Sequence, residues 1–256
     1  MAITRVHLYS SALGTCQTVD VILPQRQDGK RDMKVPVLWL LHGMYGNHYD
    51  WIRRTSIERY VAPYGMAVVM PSAQNSRYVN MVHGGKYFDY ITKELPEKLR
   101  YMFNFSDKRE DNFIAGLSMG GAGCLLLGTA CPEQYSAIGC LSAGSSAIMQ
   151  KYSTSPINVW TYGSKVLERT ELDPLFNAEN ILKKGLPCPR IYLACGTEDP
   201  LHPYAKETAA YFQGLKDNPF DFVYEADEGG HTWPYWDEHI RRFIEYLNLP
   251  KTNEYC

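Results

Sequence analysis

Short apolar runs alternate along this chain with stretches of helical periodicity, and that alternation restricts the fold more than any other feature. Residues 35–41 (VPVLWLL), 67–70, 112–115, 137–141 and 190–195 are near-continuous apolar segments. Runs this short, without polar alternation, read as strands covered on both faces. Residues 15–23 (TCQTVDVIL) add a β-branched strand, 24–34 a polar turn around Asp28-Gly29, and 220–225 a last strand. Between them, 49–60, 89–103, 119–130, 202–216 and 235–248 carry amphipathic helical patterns. The expectation is an α/β fold, a mostly parallel central sheet flanked by helices on both faces. The chain has 256 residues, so residues 1–256 are read as a single domain. Residues 145–185 break the rhythm with no clean period, and so long an interruption is read as a small cap insertion. A peripheral helical excursion is the alternative reading.

Composition narrows the function classes. Hydrophobic residues at 45% and charged residues at 21% exclude bulk disorder. With 26 Lys+Arg against 28 Asp+Glu, the net charge is −2. No basic field exists for phosphate backbones, and no nucleic-acid partner is expected. The longest apolar run, residues 37–41, falls far short of the roughly 20 residues that span a bilayer. The first residues contain no apolar core like that of a secretory signal. A cytoplasmic protein without a membrane partner is therefore expected. Seven cysteines, an odd number with no C-x-x-C pair, read as free thiols rather than a zinc or redox site. No metal and no cofactor is expected.

The segment Gly116-Leu117-Ser118-Met119-Gly120-Gly121 carries the chemistry. It fits G-x-S-x-G and lies between an apolar strand pattern and a helical one. A serine on so sharp a turn sits in a strained backbone, and Gly116 and Gly120 remove side chains that would clash. The hydroxyl of Ser118 then stands at a helix N-terminus, where developing negative charge is favoured. A serine hydroxyl needs a base, and in folds with this turn the acid and then the histidine follow it along the chain. His202, His231 and His239 remain as candidates. His239 falls within a helix pattern, on what reads as a solvated face, and His202 opens a helix. His231 lies in the glycine-flanked loop Glu228-Gly-Gly-His231-Thr-Trp233, between the last strand and the last helix, and is the expected base. Asp199, in the turn after strand 190–195, is the expected acid, with Glu198 as rival and a helix N-cap as its other role. Asp173 and Asp227 lie off the expected position.

Residues Leu40-Leu-His42-Gly43-Met44-Tyr-Gly46 end the first apolar strand of the parallel set. A loop there supplies one oxyanion-hole amide and the residue after the nucleophile the other, which assigns the backbone N–H groups of Met44 and Met119. His42 then reads as a structural hydrogen-bonding residue. Gly43 is an expected substrate contact. Trp160 and Tyr162 either line the substrate pocket from the cap or pack the cap itself.

Together these pieces resemble a known family. His42-Gly-Met-Tyr-Gly-Asn-His-Tyr-Asp-Trp51, Gly-Leu-Ser118-Met-Gly-Gly and Gly-Thr-Glu-Asp199 resemble the esterase D group of the α/β-hydrolases. That group includes S-formylglutathione hydrolases, acetyl-xylan and feruloyl esterases, and tributyrin esterases. Phe88-Asp-Tyr and His231-Thr-Trp-Pro-Tyr-Trp236 are most similar to the bacterial tributyrin esterases. The resemblance runs over roughly residues 5–248 and weakens through 145–185. It implies a metal-free acyl-serine mechanism on short-chain esters, with Ser118, Asp199 and His231 as the triad, and a homo-oligomer. The substrate is then a small-molecule or saccharide ester. Three rival readings keep the scaffold. One is an acetyl-xylan or feruloyl-type carbohydrate esterase. The second is S-formylglutathione hydrolysis, with Arg53, Arg54 and Lys86 as candidate contacts for glutathione carboxylates. The third is a non-catalytic binding protein, which the complete triad argues against.

Overall fold

The computed structural model describes residues 1–25, 34–152 and 155–252. Most of the polar turn expected at 24–34 falls outside them, as does Cys256. The strands are β1 (Ala2–Ser10), β2 (Thr15–Leu23), β3 (Val37–Leu41), β4 (Ala67–Pro71), β5 (Asn112–Leu117), β6 (Ala137–Leu141), β7 (Arg190–Ala194) and β8 (Val223–Glu225). They form one sheet in the order β1-β2-β4-β3-β5-β6-β7-β8. β1 pairs antiparallel with β2 and β2 antiparallel with β4, while every pairing from β4 to β8 is parallel. This is the α/β-hydrolase fold, as expected. The helices are α1 (Asp50–Arg54), α2 (Ile57–Val61), α3 (Tyr87–Asp89), α4 (Leu95–Met102), α5 (Met119–Ala130), α6 (Ser146–Tyr152), α7 (Pro156–Tyr162), α8 (Pro174–Lys184), α9 (His202–Gln213) and α10 (Trp233–Tyr246).

The apolar runs become central strands because both of their faces are covered. Along β3, Val37, Trp39 and Leu41 enter one core with α4, α5 and α9, while Leu38 and Leu40 enter a second core with α1, α2 and α10. β7 divides in the same way, with Ile191 and Leu193 on one side and Tyr192 and Ala194 on the other. A period of two in an all-apolar strand thus feeds two hydrophobic layers. α5 lies so deep that all its residues except Ala130 are buried.

Three local readings differ from expectation. β1 was not foreseen: it is an edge strand in which exposed Ile3, Arg5, His7 and Tyr9 alternate with residues that are partly covered or, at Leu8 and Ser10, buried, so it lacks the apolar signature of its neighbours. The helix expected at 49–60 is two short helices interrupted at Thr55-Ser56, where Thr55 Oγ1 donates back to the Trp51 carbonyl at 2.6 Å. The helix expected at 89–103 passes through a π-helical turn, Tyr90–Glu94, between α3 and α4. Residues 145–185, where no period was legible, contain α6, α7 and α8.

Candidate active site

Every element of the site hangs from the carboxyl ends of the parallel strands, where such sheets open a crevice. Ser118 joins β5 to α5 with φ of 53° and ψ of −119°, a left-handed backbone that costs a non-glycine residue energy. Its N–H donates to the Leu141 carbonyl at 2.8 Å, pinning the turn to β6. The flanking glycines are required by contact. A Cβ on Gly116 would lie 2.6 Å from the Gly120 backbone, and one on Gly120 would lie 2.6 Å from the carbonyl oxygens of Leu41 and His42. The obstacles are backbone atoms, which cannot rotate away.

The Ser118 hydroxyl donates to His231 Nε2 at 2.9 Å, and His231 Nδ1–H donates to Asp199 Oδ2 at 2.8 Å. Asp199 is buried. Burial pushes its carboxyl upward, but hydrogen bonds from His231, the Leu201 N–H and Ser142 together hold it below the ordinary carboxylate range. Its second oxygen accepts from Leu201 N–H at 2.8 Å, which tightens the turn before α9, but the residue at the N-cap of α9 is Leu201, so Asp199 does not take the helix N-cap role expected as its alternative. Glu198 is exposed.

The loops bearing Asp199 and His231 are stitched together. Thr197 N–H donates to Asp227 O at 2.9 Å and Glu198 N–H to Gly229 O at 3.0 Å. A Cβ at Gly196 would overlap the Gly229 backbone, so that approach requires glycine. The His231 ring packs edge-on against Trp236, with centroids 4.9 Å apart. Trp236 Nε1–H in turn donates to Ser142 Oγ at 2.8 Å. Ser142 therefore bridges Trp236 and Asp199. It lies at the mouth of β6, which is the only sequence signal that pointed to it.

His42 is held as structure. Ala73 N–H donates to its Nε2 at 2.9 Å, which leaves the ring proton on Nδ1, where it donates to the Gly43 carbonyl at 2.6 Å. Burial lowers its pKa and keeps it neutral. Tyr78 Oη–H donates to the His42 carbonyl at 2.8 Å, fixing the loop that carries Gly43 and Met44. Among the described residues no hydrogen bond is made by the Met44 N–H. Met119 is the first residue of α5, so its N–H has no partner within the helix.

Two cavities meet at Ser118. One, of about 490 Å³, is lined by Met44, Met119, Met149, Tyr162, Leu201 and Arg77 among others. The second, of about 580 Å³, is lined by Gly43, Met44, His231, Trp233 and Trp236 together with Arg53 and Arg54. Tyr162 and Gly43 are therefore brought to the site. Trp160 is not: it is 63% exposed and lines neither cavity. Lys86 is also exposed and outside both. Asp173 caps α8 by accepting from Leu175 N–H.

His239, expected on a solvated face, is 1% exposed. It faces inward because α10 packs it on Tyr192 and Tyr235, with Nε2 at 3.1 Å from Asp227. Among the described residues, Glu225, Asp227 and His239 alone group ligand atoms closely enough for a metal. Arg242 Nη1 already bridges the two carboxylates at 2.9 and 3.0 Å, so a guanidinium stands where a cation would.

Comparison with known proteins agrees with this geometry. The sequence profile of the Esterase family matches residues 10–245. An acetyl esterase of Caldicellulosiruptor saccharolyticus is 32% identical over 270 aligned positions, covering 97% of this chain and 98% of that one. The solved structure of FphF, a fluorophosphonate-binding serine hydrolase of Staphylococcus aureus, superposes with a TM-score of 0.88 at 30% identity, covering 96% of this chain and 98% of that one. The S-formylglutathione hydrolase FrmB of Staphylococcus aureus gives 0.82 at 29% identity, with the same shares covered.

Proposed function

Because the chain belongs to the Esterase family and is a serine hydrolase of carboxylic esters, we propose that Ser118, His231 and Asp199 are its catalytic triad and short-chain acyl esters its substrates. The observation that carries this reading is the ring of His231, held at 2.8 Å from Asp199 and 2.9 Å from Ser118.

His231 takes the Ser118 proton as Oγ attacks the ester carbonyl. The N–H groups of Met44 and Met119 receive the oxyanion. As the tetrahedral intermediate collapses, the bond to the leaving alcohol breaks and His231 returns the proton to that oxygen. Water, deprotonated by His231, then releases the acid from acyl-Ser118. The leaving oxygen must lie beside the group that protonates it. This assigns the cavity containing His231 and Trp233 to the leaving group, and the cavity containing Met149 and Tyr162 to the acyl group. Residues 145–185 act as a small cap that closes the acyl side with α6 and α7.

A tributyrin-type preference for acetyl and butyryl chains is supported by the similarity to an acetyl esterase. A second reading, thioester hydrolysis of S-formylglutathione, is favoured by Arg53 and Arg54 in the leaving-group cavity. The enzyme is further assigned to the cytoplasm, in keeping with free thiols at Cys16, Cys124, Cys131, Cys140, Cys188 and Cys195. It is also assigned a homo-oligomeric state, for which exposed Val159, Trp160 and Val166 offer apolar surface; light scattering on the eluting peak tests that assignment.

The deciding experiment labels the protein with a fluorophosphonate probe and measures kcat/KM on 4-nitrophenyl acetate, butyrate and octanoate and on S-formylglutathione. Labelling at Ser118 that Ser118→Ala abolishes, with a maximum at acetate or butyrate, supports the proposal. Thioester turnover far above that of every ester moves the function to the second reading.

A further inference from the structure

Among the described residues, the acyl cavity contains a cation with no counterion. Arg77 lines it, and among the described residues this side chain makes no hydrogen bond and no ion pair. Its Nε is shut away from solvent without a partner, which is costly, and this leaves the terminal guanidinium nitrogens as the donors open to a ligand. Among the described residues lining the cavity none is acidic. Gln150, the other long polar side chain there, is committed elsewhere: its Nε2 donates to the Lys165 carbonyl and its Oε1 accepts from Leu167 N–H, each at 2.9 Å.

The backbone presents Arg77 deliberately. Arg77 and Tyr78 both have left-handed φ, 53° and 61°, which bulky residues adopt only where surrounding structure enforces it. Here the enforcement is visible. Ser76 N–H donates to the Ala73 carbonyl at 3.3 Å, Tyr78 N–H to Ser76 Oγ at 3.1 Å, and the buried Tyr78 hydroxyl to His42 O. The segment 73–78 is thus fastened to the same His42 loop that positions Met44. The turn that carries Arg77 is thus held in place beside the cavity that Arg77 lines.

Resting on the acyl-side assignment above, we propose that Arg77 receives a carboxylate at the far end of the acyl group, so that the preferred substrates are hemiesters of short dicarboxylic acids. Ser118 forms its ester bond to the proximal carbonyl carbon as the alcohol leaves with the proton from His231. Water then releases the free dicarboxylate. The planar guanidinium matches a carboxylate in two parallel hydrogen bonds.

The test compares kcat/KM, corrected for spontaneous hydrolysis, on the 4-nitrophenyl hemiesters of succinic, glutaric and adipic acids. Each is set against the methyl-ended ester of equal length: butyrate, valerate or hexanoate. In the wild-type enzyme the acid-to-neutral ratio at the best length should fall as salt rises. Arg77→Gln should lower that ratio about tenfold or more, chiefly through KM, and Arg77→Lys, which keeps the charge but not the two-pronged geometry, should retain only part of it. A ratio unchanged in Arg77→Gln, or both ester types weakened equally, overturns the proposal. Should Arg77→Gln not fold, as judged by circular dichroism and Ser118 labelling, the wild-type enzyme decides. Competitive inhibition of butyrate turnover by free glutarate or adipate supports the proposal, and its absence overturns it. Wild-type protein that is not labelled at all refutes the triad instead. Labelled protein that turns over neutral esters with no response to the distal carboxylate refutes only the role of Arg77.

Discussion

At the scale of single residues, the site depends on contacts that tolerate no added atom. Gly120 lies against the carbonyl oxygens of Leu41 and His42, so Gly120→Ala must displace β3 or the nucleophile turn. The expected outcome is a loss of roughly 3 kcal/mol in urea unfolding together with loss of Ser118 labelling. Asp199→Asn leaves the packing intact but removes the acceptor that sets the His231 tautomer, and kcat should fall roughly ten-thousand-fold with the fold unchanged by circular dichroism. Ser142→Ala removes one hydrogen bond to the Asp199 carboxylate and strands the Trp236 indole N–H. Since Ser142 touches no substrate, kcat should drop roughly tenfold while KM holds. Equal changes in both would assign Ser142 a packing role.

At the scale of elements, Glu94 fastens the edge hairpin to the helical layer. It ends the π-helical turn before α4, and its carboxylate accepts from Ser10 Oγ at 2.6 Å and from the N–H groups of Ser11 and Ala12 at 2.7 and 3.1 Å. Partial burial pushes its pKa upward, but these hydrogen bonds and Lys98 bring it down to about 2 from 4.5. A carboxyl with a depressed folded pKa contributes stability that is complete above its unfolded pKa and is lost as pH falls through the folded value. Glu94→Gln should therefore cost about 1–2 kcal/mol at pH 7. That difference from wild type should shrink as pH drops from about 5 towards 2, read from urea midpoints along a pH series. A difference independent of pH would mean that shape, not charge, joins β1 and β2 to α4.

At the scale of the whole molecule, the crevice at the carboxyl ends of the strands is divided by Ser118 into two cavities with different walls. α6 and α7 wall one of them, proposed for the acyl group, through Met149 and Tyr162, while α10 walls the other, proposed for the leaving group, through Trp233 and Trp236. The two specificities are then separable. Tyr162→Ala enlarges the acyl side and should move the kcat/KM maximum along the 4-nitrophenyl series towards octanoate by about tenfold. Trp233→Ala should instead alter the dependence on the alcohol and leave the order of acyl preference as it was. A Tyr162→Ala enzyme that keeps its acyl profile would remove that side chain from the acyl wall.

The sequence by itself determined the central strands, the nucleophile turn with its glycines and the order of the candidate triad along the chain. These are written in local terms: runs with a period of two, and a turn whose sterics demand glycine at fixed offsets. Edge strand β1 escaped because it is only half covered, and α6 and α7 because each has only seven residues, too few to display a helical period; α8 does bury a stripe of Pro174, Asn177, Ala178 and Ile181, but the polar Asn177 within it blurs the pattern. The tertiary structure alone decided that Ser118 and His231, 113 residues apart, meet across the mouth of the sheet. It also decided that His239 is buried, that Trp160 faces outward and that Arg77 lines a cavity beside Ser118. A side chain's chemical identity is local, but its direction and its partners depend on which distant elements pack beside it.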